Sequence, residues 1–322
     1  MVDGSDGKPP DVTPPLSVTA VYDHDAGDEE QVRQIGAVDD QSVQEAMVDL
    51  VSLPLYGHVD LVITTRFDEA VRERSDDPDV RTYFTHRRPG AWVGGKMIPH
   101  SRERFSIIIH AQFPTADPEI IALQREQGLT LQRLVRHEGW HAVLYQRVED
   151  PAAQVQRIEG HDENHVRYTS QLLEEFRIER ALCEEGWRRP LMSRHDAREV
   201  AMALRWLRDP PEDGRWIDDR DLLWGMVMGF WQQYVSRAAV VAAEQTVEGA
   251  GVAERRLRSR AWQRLVGDRW DGVLAVLRDV PSARHPTGGG DLDKPLFALM
   301  PIVDEWLRHV GAIIEERAPR DQ

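Results

Sequence analysis

His137, Glu138 and His141 stand in the order His-Glu-x-x-His within the run LQRLVRHEGWHAVLYQRV at residues 131–148. Two imidazoles and a carboxylate at this spacing are the ingredients of a metal site. In a helix, residues four apart share a face, about one turn and ~6 Å apart along the axis. Two histidines so placed can bind the same Zn²⁺ at ~2.0–2.1 Å. Glu138 falls about 100° around the helix from His137, beside the metal rather than on it. From there it can take a proton from water on the metal and return it to a leaving group, which is the acid–base work of a hydrolase. Zinc lowers the pKa of its water to about 7, so a carboxylate suffices as base.

A further ligand must come from elsewhere in the chain. A metzincin-type extension needs Gly at 144 and His at 147, where this chain has Leu144 and Arg147. The stretch LLEEFRIERAL at residues 172–182 offers carboxylates instead. Glu175 and Glu179 are four apart and share a face with Leu172 and Leu182. Glu174 points about 100° away, with Arg177 and Ile178, and reads as a solvated partner of arginine. Glu175 is the natural third ligand, and Glu179 then accepts the free N–H of a ligand histidine and fixes its tautomer. Glu179 or Glu174 on the metal are the alternatives. A second His-x-x-x-His, His161 to His165, follows Gly160 in a polar stretch and reads as a helix start or a site rim.

In these residues the chain resembles the gluzincin metallopeptidases, zincins in which HExxH on one helix is followed by Glu-x-x-x-Asp on a later one. The likeness covers about residues 59–187 and rests on His137-Glu138-x-x-His141 and Glu175-x-x-x-Glu179. Arg180-x-Leu182 after them is similar to the Arg that often follows the acid in that family. Glu179 stands where the family has Asp and is one methylene longer. The resemblance implies Zn²⁺ on His137, His141 and Glu175, with Glu138 as general base and acid in peptide-bond hydrolysis. It implies a peptide or protein substrate, and a sheet ahead of the metal helix whose edge strand pairs with that substrate. By position that strand is 105–110. An oxyanion stabiliser is also implied, with Tyr168, His165, His195 and Tyr234 as candidates. The alternative is a zincin-fold regulatory or sensor protein with a single cognate partner or no peptidase activity. A purely structural zinc site fits worst, because such sites usually take four protein ligands rich in Cys.

The elements that must position these residues can be read from pattern. Thr130 is placed to cap the metal helix. Gly139 in its interior costs about 1 kcal/mol relative to Ala, which points to a strand or substrate passing close over it. Residues 41–53 have helical periodicity, 59–65 are a β-branched strand, and 66–74 read as a helix. Residues 91–98, interrupted by Gly94-Gly95, and 105–110 read as a hairpin. From residue 118 onward the pattern is helical, over 118–127, 131–148, 163–187, 196–207, 218–245, 252–265, 271–280 and 294–317. The class is therefore α+β, a zincin-like small sheet with its active-site helix followed by a mostly α-helical half. The expected divisions are an acidic, disordered leader at 1–40, a metal-binding domain at 41–190 and a helical subdomain at 191–322.

Composition excludes several functions. The net charge of −15 argues against a nucleic-acid or anionic-membrane surface. Ten carboxylates against Lys8 and Arg33 give residues 1–40 a balance of −8, the reason for expecting disorder there. No apolar run reaches the ~18–20 residues of a membrane helix, and residues 1–13 have no secretory character. The single cysteine, Cys183, rules out an intrachain disulfide and fits a reducing compartment, so a cytoplasmic location is expected. Oligomeric state is not readable from the chain.

Overall fold

The computed structural model describes residues 15–84, 87–88, 91–113, 130–187, 231, 235, 237–249, 269–288 and 290–315. The first half is built on a sheet of β1 (Ser17–Asp23), β2 (His58–Thr64), β5 (Gly95–Ser101) and β6 (Arg104–His110), in the order β1-β2-β6-β5. β1, β2 and β6 run parallel, and β5 lies antiparallel on β6. A two-residue pair, β3 (Arg87–Arg88) and β4 (Ala91–Trp92), stands apart. The helices α1 (Glu29–Gly36) and α2 (Asp40–Val51) link β1 to β2, and α3 (Phe67–Arg74) and α4 (Pro78–Tyr83) follow β2. The architecture is α+β with a mixed four-stranded sheet. Among the described residues no helix is long and apolar enough to cross a membrane.

Strand alternation sorts the side chains into two layers. Val59, Leu61, Ile63, Phe105, Ile107 and Ile109 pack with α2 through Val43, Ala46 and Leu50. On the same side lies α5 (Leu131–Gln146), contributing Val135, Ala142 and Val143. Val62, Ile108 and Ile98 face the other way, onto Phe67, Ala70, Val71 and Phe84.

This two-sided burial corrects one expectation. Residues 105–110 are not the sheet edge. The uninterrupted Ile107-Ile108-Ile109 fills both cores at once, as an interior strand does. The hairpin folds β5 outside it, so the edge beside α5 is Gly95–Ser101.

A second correction concerns the leader. Residues 15–40 carry β1 and α1 rather than disorder, and their acids have local work. Asp28 caps α1 by accepting from the Glu30 and Gln31 amides, and Asp39 caps α2. Asp23 lies 3.0 Å from both Arg66 and Arg74, and Tyr22 donates to Asp40 at 2.7 Å. Residues 1–14 lie outside the described residues.

After α5 come α6 (Pro151–Arg157), α7 (Glu163–Glu184), a helical stretch at 237–248, α8 (Trp270–Leu277) and α9 (Asp293–Glu315). The helices expected at 118–127, 196–207 and 252–265 lie outside the described residues, as does most of that at 218–245. α7 belongs to two cores. Ile178, Ala181 and Leu182 join the sheet side, whereas Leu172, Leu173 and Phe176 pack with Trp231, Trp270, Leu296 and Trp306.

Arginines of α7 grip the segment after α8. Arg177, fully buried, donates to Pro281 O and His285 O and pairs with Glu149 at 2.6 Å, while Arg180 donates to Val280 O.

Candidate metal centre

α5 begins at the expected cap, Thr130 Oγ1 accepting from Arg133 N at 3.4 Å. Its far end is tied down by Gln146, whose Nε2 donates to Tyr56 O and Arg102 O at 2.9 and 2.8 Å. The glycine of the motif is explained by a neighbour, though not the expected strand or substrate. A Cβ on Gly139 would come within 2.5 Å of Leu53 Cδ1 and 2.8 Å of Leu50 Cδ2, so the glycine lets α2 and its following turn close onto the metal helix.

On the opposite side of α5, α7 runs antiparallel and faces it with carboxylates. His137 Nε2 and His141 Nε2 lie 3.3 Å apart. Glu175 completes a triangle, Oε2 being 3.5 Å from His137 Nε2 and Oε1 3.5 Å from His141 Nε2. Among the described residues these three form the one group that could hold a metal ion. Tetrahedral bonds of ~2.0–2.1 Å set donor–donor edges of about 3.3 Å, so the triangle has the size of a zinc site.

The outer atoms of the rings fit the same reading. His137 Nδ1 lies 3.2 Å from Glu179 Oε1, and His141 Nδ1 lies 3.1 Å from Glu174 Oε1. At His141 the Glu174 carboxylate favours the proton on Nδ1 and turns the Nε2 lone pair inward, whereas Glu179 stands beside His137 Nδ1 without completing a hydrogen bond. Two lone pairs and a carboxylate oxygen at this separation repel one another unless a cation lies between them. The same carboxylates and rings also shift each other's proton affinity. Burial disfavours charge on His141, but Glu174 and Glu175 outweigh it and raise its pKa well above the usual value. Burial likewise opposes a charged Glu175, yet His141 and His137 hold its carboxyl below the ordinary range.

Glu138 is 7% exposed, and its Oε2 accepts from the Met97 amide of β5 at 2.8 Å. Gly94 and Gly95 allow that approach. A Cβ on Gly94 would strike the Phe113 ring at 2.3 Å, and one on Gly95 would crowd Glu138, Ile109 and Leu134 at 3.1 Å. His110 N donates to Gly94 O. By antiparallel alternation the amides at 94, 96 and 98 therefore turn toward β6, and those at 95 and 97 turn outward. Pro99 takes the next outward position and costs the ladder no donor.

The sequence brought out His137, His141 and Glu175, and these lie together, while Glu138, also singled out, turns to the Met97 amide of β5. It paired Glu179 with a ligand histidine, and Glu179 is in contact with His137. It misassigned Glu174, which is not a solvated partner of arginine but backs His141 at 11% exposure. It overlooked Arg133, whose Nη2 donates to Glu179 Oε2.

Of the oxyanion candidates, Tyr168 is buried against Trp231, with ring centroids 6.2 Å apart, and His165 Nε2 lies 2.9 Å from Met300 O. Both seat the helical half. His195 and Tyr234 lie outside the described residues. His161 and His165 flank the start of α7, where Asp162 accepts from His165 N, as a helix start requires. Cys183 is buried and is not part of the group of His137, His141 and Glu175. Burial, with Glu179 and Glu244 adding, pushes its thiol up to about 12.

No protein-family model matches the chain, and neither a curated protein nor a solved structure matches it.

Proposed function

We propose that this chain is a zinc-dependent hydrolase of the zincin kind that cuts peptide bonds. The observation that carries the reading is the triangle of His137 Nε2, His141 Nε2 and Glu175 oxygens at 3.3–3.5 Å, with Glu138 one residue along the helix. Two imidazoles and one carboxylate are the donor set of catalytic zinc, which leaves a coordination position open. Bound there, zinc supplies a Lewis acid that polarises a carbonyl and acidifies water.

Glu138 moves the proton. The Met97 amide holds Oε2, so Oε1 is the atom that accepts a proton from the attacking water and later delivers it to the leaving amine. Glu174 keeps His141 in the ligating tautomer, and Glu179 stands 3.2 Å from His137 Nδ1 to do the same when the ring turns toward it. The outward carbonyls of β5 offer acceptors to the N–H groups of an extended peptide, as an added strand requires. A cytoplasmic location fits the lone cysteine.

The test is Glu138→Gln. It should keep its zinc and lose ~10²–10⁴-fold in peptide cleavage. Undiminished cleavage refutes the mechanism.

One observation favours a narrower role. Glu138 is already engaged by β5 and almost closed to solvent, which suits a zincin-fold regulatory protein with one cognate partner or no peptidase activity. A broad peptide library separates the two. Many cleaved sequences favour the first reading, and silence from zinc-loaded protein favours the second.

A further inference from the structure

Arg133 stands one turn before His137 on the same face of α5, and its side chain is 6% exposed. A guanidinium buried to this degree needs a charged partner. It donates from Nη2 to Glu179 Oε2, and Glu179 is itself 3% exposed. The other oxygen of the same carboxylate, Oε1, lies 3.2 Å from His137 Nδ1. One carboxylate thus lies between a buried cation, which it binds, and a ligand histidine, which it approaches without completing a hydrogen bond. Glu179 has the reach for both because it carries one methylene more than aspartate.

We infer that Arg133 is a positioning residue for the metal centre. It fixes the plane of the Glu179 carboxylate so that Oε1 meets His137 Nδ1 and Nε2 faces the metal. The inference rests on the zinc reading of His137, His141 and Glu175 and assigns that site a control element two contacts away from the ion. Two effects of removing Arg133 oppose each other. Loss of a positive charge by itself favours a bound cation, but that charge is already matched by Glu179. Loss of the carboxylate's aim frees the imidazole to rotate, and this effect dominates.

The experiment measures zinc affinity of the full chain by competition with a chromophoric chelator, and records the visible spectrum of the Co²⁺-substituted protein. Wild type, Arg133→Met, Arg133→Lys, Glu179→Gln and the Arg133→Met/Glu179→Gln double variant are compared. Unfolding in urea is followed separately on metal-free protein. Arg133→Met and Glu179→Gln should each weaken zinc roughly 10–100-fold and alter the Co²⁺ spectrum, as supporting groups of metal ligands do. The double variant should bind no worse than the weaker single, because both changes break one chain of contacts. Arg133→Lys should recover part of the loss.

Wild-type zinc affinity and spectrum in Arg133→Met, tighter binding in it, or losses that simply add would overturn the inference. A fall in urea stability with unchanged affinity would make Arg133 structural only and would overturn it too. If Arg133→Met does not fold, Arg133→Lys and Glu179→Gln carry the same two readouts. Wild-type protein that takes up no zinc would instead overturn the metal reading itself, a result distinct from all of these.

Discussion

Replacing Gly139 by alanine adds one methyl group in the middle of α5, where helix propensity alone says it should stabilise by about 1 kcal/mol. The surroundings say otherwise. The new Cβ would lie 2.5 Å from Leu53 Cδ1 and 2.8 Å from Leu50 Cδ2, whereas carbon atoms in contact normally sit about 3.5–4.0 Å apart. Both leucines are buried, at 4% and 0% exposure, so neither methyl can swing into solvent. Overpacking of this kind costs typically ~1–3 kcal/mol, and two displaced methyls put it at the upper end. Set against the propensity gain, the net loss is about 1–2 kcal/mol. Urea unfolding of the metal-free chain should show a lower midpoint with an unchanged slope. In a Leu53→Ala background the nearest clash is gone and the Leu50 Cδ2 contact remains, so Gly139→Ala should cost less there than in the wild type. If Gly139→Ala stabilises the otherwise wild-type protein by ~1 kcal/mol, α2 does not press on α5 as described and the reasoning fails.

Two further outcomes can be checked by the same unfolding experiment. Val148 ends α5 with φ +60°, a left-handed conformation that a β-branched side chain adopts under strain; Val148→Gly should stabilise by about 1 kcal/mol, and a loss of stability would show that the side chain matters more than the strain. Burial first, and the Glu174 charge second, raise the Asp150 carboxyl to about 6, so the folded chain holds a proton that the unfolded chain releases. That contribution is present below pH ~4 and is lost as pH rises through about 6, by up to ~2 kcal/mol after allowing for partial exposure. Asp150→Asn, which still caps α6, should therefore be more stable than wild type at pH 7.5 and lose the advantage by pH ~4; equal pH profiles would contradict the placement.

The elements that position the site were legible where a single physical signal dominated. The β-branched runs at 59–65 and 105–110 and the apolar periodicity around His137 and Glu175 led to β2, β6, α5 and α7 within a few residues. β1 was hidden because the charge of its neighbourhood outweighed the alternation in SVTAVYD. An edge strand buries little, so its own signal is weak, and the acids that suggested disorder are helix caps and arginine partners. Glu174 was misplaced for another reason. A helical wheel treats α7 as isolated, but α5 lies across it, and its histidines four residues apart meet carboxylates from two rows of the facing helix. The same crossing explains Arg133, whose position four residues before His137 put it on the histidine face in plain view. What sequence lacked was the partner.

The outer margin of β5 has a consequence for the protein's company in solution. Of its outward positions at 95, 97 and 99, Met97 gives its amide to Glu138 and Pro99 has none, which leaves at most the Gly95 amide to offer. Among the described residues no strand pairs on that side. A free strand margin ordinarily invites another copy to stack on it through alternating donors and acceptors. This one presents carbonyls with almost no donors between them, so a second copy of β5 finds no matching ladder. The contact that holds Glu138 in place therefore also takes from this margin one of the donors that a second copy of β5 would need for pairing.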